Sequence, residues 1–382
     1  MKTVGILCEY NPFHLGHARQ FSKIRESAGP DTAVVCLMSG NFVQRGHPAI
    51  FDKMLRTRVA LEAGADLVLE LPVQYCLSSA EGFAAGAVSI LGSFCDEMSF
   101  GAEHPDRDAL LTTAGALLSP GFPPHLRRHL DAGLSFPAAR SRALADMGAD
   151  NSLLDFPNDI LAVEYCKAIL SQNSPMTPAP IYRPGDYHDK TPFRENPSAT
   201  ALRLLAENGK DIADYVPTEL FRNAPIHTLF HGEKALLARL RTMTDAEFEA
   251  LPYGSEGLWR KLMHECRRKN TLEDILTAVK SKRYTRTRLD RMVMCAYLGL
   301  SKADLDFPAP YARVLGFTKL GQQVLHIAKE RTALYNVGQR TDSPQWALEQ
   351  RCSDLYGLFA RQPDPAGLAP QRRIIQIRAE ES

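Results

Sequence analysis

TVGILCEYNPFHLGHARQ, residues 3–20, decides how the rest of the chain is read. TVGILCEY is a short apolar run that reads as a buried first strand, and LGHARQFSKIRES, after an Asn-Pro turn, reads as a helix. Between them His14 and His17 stand three residues apart around Leu15 and Gly16. Backbone N–H groups at a helix start lack partners and carry partial positive charge, so this turn is a candidate anion site. Gly16 has no Cβ to hold a ligand off the backbone. Two imidazoles aimed at one anion would supply N–H donors fixed before reaction, which is what displacement at a phosphate needs. A metal-binding pair and a pair of ordinary surface histidines are the alternatives. The first lacks a nearby third ligand of suitable spacing.

Outward from this turn, strand and helix signals alternate. TAVVCLMSG, DLVLELP and DEMSFG read as strands; FDKMLRTRVALEAG, closed at Gly64, and SSAEGFAAGAVSIL read as helices. Continuous apolar strands separated by helices predict an α/β fold with a Rossmann-like, doubly wound parallel sheet. Such sheets bind ligands at the carboxyl ends of their strands, where Glu9–His17, Ser39–Gly46 and Ser99–Glu103 fall. Helices over 106–119, 123–132 and 136–147 and then NDILAVEYCKAIL suggest a helical insertion over about 105–175. APIYR reads as a last short strand, and NPSATALRLLAENG as a helix capped by Ser198 and ending near Gly209. Residues 1–210 therefore read as one α/β domain. From about 220 no convincing strand remains, so 220–362 reads as a mainly helical domain and 363–382 as a loosely attached tail.

Lys and Arg number 45 against 44 Asp and Glu, a net charge of +1, which excludes an overall polycation but not a local basic face. Such a face is visible: Arg260–Arg291 holds eleven Lys and Arg against four acids. Within it Lys280, Lys282, Arg283, Arg286 and Arg288 surround Tyr284, the mixture of phosphate contacts and a stacking ring that RNA binding uses. No apolar stretch approaches about 20 residues, so no membrane span is expected. The eight scattered cysteines form no C-x-x-C pair and read as reduced thiols of a cytoplasmic protein.

The H-x-G-H turn after a first strand resembles the HIGH-type nucleotidyltransferases, in which an oxyanion attacks the α-phosphate of ATP and pyrophosphate leaves. PSATALR, Pro197–Arg203, resembles their second phosphate-binding element, with Ser198, Thr200 and Arg203 as the phosphate-binding candidates. More narrowly, GILCEYNPFHLGH, SGNFVQRG, GADLVLELPVQY, SFGAEH, PNDILAVEYCKAI and YARVLGF resemble the bacterial tRNA(Met) cytidine acetate ligase family over residues 2 to about 320.

That resemblance implies that acetate and ATP give acetyl-adenylate, and that the acetyl group passes to the N4 amine of the wobble cytidine of elongator tRNA(Met). It implies His14 and His17 as catalytic, and residues 1–210 as the catalytic domain. It assigns ATP to the continuous segment Leu7, Cys8, Glu9, Tyr10, Asn11, Pro12, Phe13, His14, Leu15, Gly16, His17, Ala18, Arg19 and Gln20. Gly101, Asn158 and Arg183 complete that assignment. Mg²⁺ is expected to accompany ATP, with no dedicated ligand set visible. His47 stands where the family usually has Glu. Glu9, Asp52 and Glu103 are rim candidates for the base of the acyl transfer, and Lys53 and Arg56 are candidates to steady pyrophosphate or tRNA. The competing readings are another HIGH-type adenylyltransferase or acetate ligase with a non-RNA substrate, and a non-catalytic tRNA-binding protein.

Overall fold

The computed structural model describes residues 1–183, 197–305, 311–339 and 341–377. The strands are β1 (Thr3–Cys8), β2 (Ala33–Ser39), β3 (Phe42–Val43), β4 (His47–Pro48), β5 (Leu67–Leu71), β6 (Glu97–Ala102), β7 (Thr177–Tyr182), β8 (Tyr311–Phe317), β9 (Ala333–Asn336) and β10 (Ile375–Gln376). The main sheet runs β10-β8-β5-β2-β1-β6-β7, with β9 beside β8. β7, β6, β1, β2 and β5 are mutually parallel. Because the chain winds outward from β1 to β5 and then returns to β6 on the other side, the order reverses between β1 and β6. A crevice opens at the carboxyl ends of such a pair.

Every residue of β2 is buried, and its side chains divide by the two-residue period of a strand. Ala33, Val35 and Leu37 enter the core under the Ala80–Leu91 and Pro157–Ser171 helices. Val34, Cys36 and Met38 enter the core formed with α1 (Leu15–Ala28) and α2 (Lys53–Glu62). A sheet covered on both faces is what continuous apolar strands require. A third core joins the helices of the C-terminal half through Leu236, Leu262, Ile275 and Met292.

Two readings of the C-terminal half are corrected. The first concerns strands: β8 lies antiparallel to β5 and extends the main sheet, with β9 and β10 parallel to it. Arg313 interrupts the apolar run of YARVLGF, and that charge hid the strand. It is only 3% exposed, 2.7 Å from Glu70 and 3.1 Å from Glu349. The second concerns the tail. Ile375 and Gln376 pair with Gly316 and Phe317, and Arg372 reaches Asp52 at 2.8 Å, so the described part of 363–377 is tied to the sheet. Residues 378–382 lie outside the described residues, as do 184–196, which follow APIYR (Ala179–Arg183).

The helical region also grips the rim of the sheet. Gly46, at the tip of the β3–β4 hairpin, has φ +82, and a Cβ there would come 2.4 Å from the backbone nitrogen of Arg291. Only glycine allows that approach. All eight cysteines are buried and unbonded. Among the described residues, no helix is long and apolar enough to cross a membrane.

Candidate active site

His14 is the N-cap of α1. Its Nδ1 accepts the N–H of Gly16 at 3.1 Å, and the His14 N–H donates to Nδ1 of His17 at 3.2 Å. The two rings stack with centroids 3.7 Å apart. This capping box engages backbone donors that the sequence reading left open to an anion. It transfers that role to the imidazoles: with each Nδ1 accepting, each ring carries its proton on Nε2. Nε2 of His14, a residue only 3% exposed, finds no hydrogen-bond partner among the described residues. A buried donor left so costs about 1–3 kcal/mol, which a ligand oxygen would relieve.

Both rings are held neutral. Burial, then the charges of Arg183 and Arg19, brings His14 from 6.5 down to about 3. Burial, His14 and Arg183 hold His17 well below its ordinary value.

His17 lines a cavity of about 1010 Å³ at the β1–β6 crossover, together with Leu7, Cys8, Glu9, Tyr10, Asn11 and Gln20. That volume lies at the upper end of the range for small-molecule sites, about 300–1,000 Å³. The rest of the Leu7–Gln20 segment, His14 and Gly16 included, does not line it: Pro12, Phe13 and His14 are buried, Leu15, Gly16 and Ala18 half-buried, and Arg19 exposed. Phe13 is buried in the core and makes edge contact with Tyr10.

Gly101 and Arg183 meet on the opposite wall, because Arg183 N–H bonds the carbonyl of Ala102 at the end of paired strands β6 and β7. A Cβ on Gly101 would come 2.9 Å from Cδ of Arg183, so the glycine makes room for the arginine stem as well as for a ligand. Arg183 donates to Oδ1 of Asn158 at 3.3 Å, and Asn158 Nδ2 donates to Glu103 at 2.6 Å. Glu103 also accepts the N–H groups of Asn158 and Asp159, capping the Pro157–Ser171 helix. It is thereby a positioning group, not a free base.

Ser198, Thr200 and Arg203 line the same cavity at the start of the Ala199–Glu207 helix. Ser198 makes no side-chain cap, contrary to the sequence reading. Arg203 donates to the Asn11 carbonyl at 2.7 Å and to Thr200 Oγ1 at 3.0 Å, which fixes its guanidinium beside β1.

The remaining rim candidates divide. Asp52 caps α2 through Met54 N–H and pairs with Arg372. Lys53 and Arg56, the candidates to steady pyrophosphate or tRNA, are buried. Lys53 pairs with Glu70 at 2.7 Å. Arg56 donates to the carbonyls of Glu9, Ser39, Gly40 and Phe51, knotting together the ends of β1 and β2. Neither is available to pyrophosphate or tRNA. Glu9 alone of the three acids lines the cavity, accepting Gln44 N–H at 2.7 Å, and burial raises its carboxyl pKa. His47 lines it too, its Nε2 3.6 Å from Asp290. The sequence reading missed one wall, Ile226–His231. No charge pattern or motif marks that segment.

The basic stretch is less positive than its composition. Arg283 pairs with Glu256, Arg286 with Glu273 and Asp290, and Arg288 is held by the Tyr253 carbonyl. Tyr284 donates to Glu256 at 3.0 Å and lies under Arg288, 5.1 Å from its ring centre. Lys280, Lys282 and Arg283 are exposed.

The HIGH Nucleotidyl Transferase family profile matches residues 1–368. A tRNA(Met) cytidine acetate ligase of Clostridium novyi (strain NT) is 36% identical over 356 residues, covering 87% of this chain and 89% of that protein. One of Clostridium perfringens (strain ATCC 13124) is 37% identical over 386 residues, 94% and 96% of the two chains. The chain belongs to the tRNA(Met) cytidine acetate ligase family, within the HIGH nucleotidyl transferases. The crystal structure of Thermotoga maritima TmcAL in its apo form superposes with a TM-score of 0.89 at 30% identity, covering 99% of this chain and 100% of that one. The same Thermotoga protein bound with alpha-thio ATP superposes at 0.87.

Proposed function

We propose that this member of the family activates acetate with ATP as acetyl-adenylate and transfers the acetyl group to the N4 amine of the wobble cytidine of elongator tRNA(Met). The observation that carries the reading is the pair of stacked, neutral imidazoles, each with its proton on Nε2, with His17 on the wall of a crossover cavity that Arg183 and Arg203 also line and buried His14 stacked against it.

In the first step a carboxylate oxygen of acetate attacks the α-phosphorus and the bond to pyrophosphate breaks. Charge grows on phosphate oxygens, where neutral N–H donors and two guanidinium groups already stand and need no reorganisation. Ser198 and Thr200 present hydroxyls on the same wall.

The second step answers a chemical difficulty. The cytosine amine is a weak nucleophile, its lone pair delocalised into the ring, and acetate offers no leaving group. Adenylation supplies one. The amine attacks the acyl carbon, the bond to AMP oxygen breaks, and a proton leaves the nitrogen. Glu9 is the buried carboxylate on the cavity wall that can take it, the other lining carboxylate, Glu207, being exposed, and its raised pKa suits that exchange.

Among the described residues no three His, Cys, Asp or Glu side chains are grouped to hold a metal ion. Mg²⁺ would come in on the phosphates of ATP, neutralising part of their charge.

The test incubates the protein with ATP, labelled acetate and total bacterial tRNA. The label should appear in one cytidine nucleoside of one tRNA, with AMP released. Labelled pyrophosphate that exchanges into ATP equally well without acetate, or label that never reaches tRNA, would overturn the reading.

A further inference from the structure

Phe230 is 84% exposed, the barest large apolar side chain among the described residues; Tyr182 follows at 57%. Single exposed apolar residues are ordinary on a surface. This one lines the cavity that holds His17, Glu9 and Gly101.

Its exposure is built in, not an effect of slack chain. The segment before it is fastened by His227 N–H to the Ile50 carbonyl at 2.9 Å and by Thr228 N–H to the Phe359 carbonyl at 3.0 Å. Thr228 then caps the Leu229–Thr242 helix, its Oγ1 accepting His231 N–H at 3.3 Å. Two residues past Phe230, a Cβ on Gly232 would sit 2.3 Å from the Phe359 ring, so this helix start is pressed against the core. The backbone is fixed while the Phe230 ring stays in water. The ring contact it makes is with His231, at 5.7 Å and tilted by 65°, so no described ring stacks flat upon it.

We propose that Phe230 is the stacking platform for the acceptor base: the splayed-out cytosine lies against its ring while the exocyclic amine enters the cavity. This rests on the function proposed above. The amine must come within about 3–3.5 Å of the acyl carbon. A base still stacked within its loop cannot reach into a cavity, and proteins hold unstacked bases on aromatic faces. A rigidly mounted, uncovered ring at the mouth of the adenylate cavity supplies that face. It also separates the two half-reactions, because acetate activation needs no ring there.

The experiment compares Phe230→Ala, Phe230→Leu and Phe230→Trp by the tRNA dependence of acetyl transfer. Acetate-dependent pyrophosphate exchange and the thermal unfolding midpoint are measured alongside. Phe230→Ala and Phe230→Leu should raise the KM for tRNA by about tenfold or more, the scale of one missing base–aromatic stack. Phe230→Trp should stay near wild type, and all three should continue to exchange pyrophosphate and melt near the wild-type temperature. A wild-type KM in Phe230→Ala, or rescue by Leu as complete as by Trp, overturns the platform and leaves the ligase reading standing. Wild-type protein that exchanges pyrophosphate but labels no tRNA overturns the ligase reading and the platform with it.

Discussion

His14 does two jobs that can be pulled apart. As a cap it accepts Gly16 N–H through Nδ1; as a ligand group it offers Nε2–H. Asparagine is among the best N-caps, so His14→Asn should keep α1 and the fold while removing the Nε2 donor. Pyrophosphate exchange should fall by about 10²–10³, the cost of removing one donor to a developing oxyanion. Exchange within twofold of wild type would place the charge stabilisation elsewhere.

The same burial makes stability depend on pH. His14 is held from 6.5 down to about 3, so between those values the unfolded chain binds the more protons. The imidazole's contribution is full above 6.5 and is lost as pH falls through the window. Denaturant unfolding of wild type should weaken from pH 7 to pH 4 more steeply than that of His14→Asn. Parallel curves would count against a buried neutral ring.

At the scale of elements, what the sequence made legible was whatever carried its own signal. The parallel strands were legible because apolar residues dominate them, as in AVVCLMS and, around Glu70, LVLEL. The first crossover turn was legible because two histidines flank a glycine. β8 was not, because its buried Arg313 finds its partners in Glu70 on β5 and Glu349 on the Pro344–Tyr356 helix, which no local window contains. Arg56 and Lys53 misled for the same reason: a helix face rich in cations is usually solvated, and here distant carbonyls and Glu70 bury it.

This charge cluster gives a measurable consequence. Glu349 also accepts Val73 N–H at 2.9 Å, so the cluster joins β5, β8, α2 and the late helix. Arg313→Met would strand Glu349 beside an apolar side chain and should cost about 3–5 kcal/mol in denaturant unfolding. Adding Glu349→Gln should restore part of that loss, since coupled partners are not additive. Strictly additive losses would mean that the two side chains do not interact.

Across the whole molecule, the C-terminal half is both part of the sheet and the wall over its crevice. β8 extends β5, the Gly46 hairpin tip packs on the Arg286–Leu298 helix, and Ile226–His231 closes the cavity. The tRNA of the proposed reaction would meet that wall, and composition alone suggested that the arginines of this half would bind its backbone. The geometry redistributes the roles. Arg286 lies between Glu273 and Asp290, so its charge is already answered and its loss should loosen the helix. Lys280 and Lys282, exposed just before that helix and in no ion pair among the described residues, are open to phosphate. Lys280→Gln with Lys282→Gln should therefore weaken tRNA binding and flatten its dependence on log salt by about one unit for each phosphate no longer neutralised, with the melting temperature held. Arg286→Gln should do the reverse, lowering the melting temperature while the salt slope stays near wild type. If Arg286→Gln instead flattens the slope with stability intact, the arginine leaves its acids for RNA, and the tRNA-binding face is centred on the helix instead of the lysines before it.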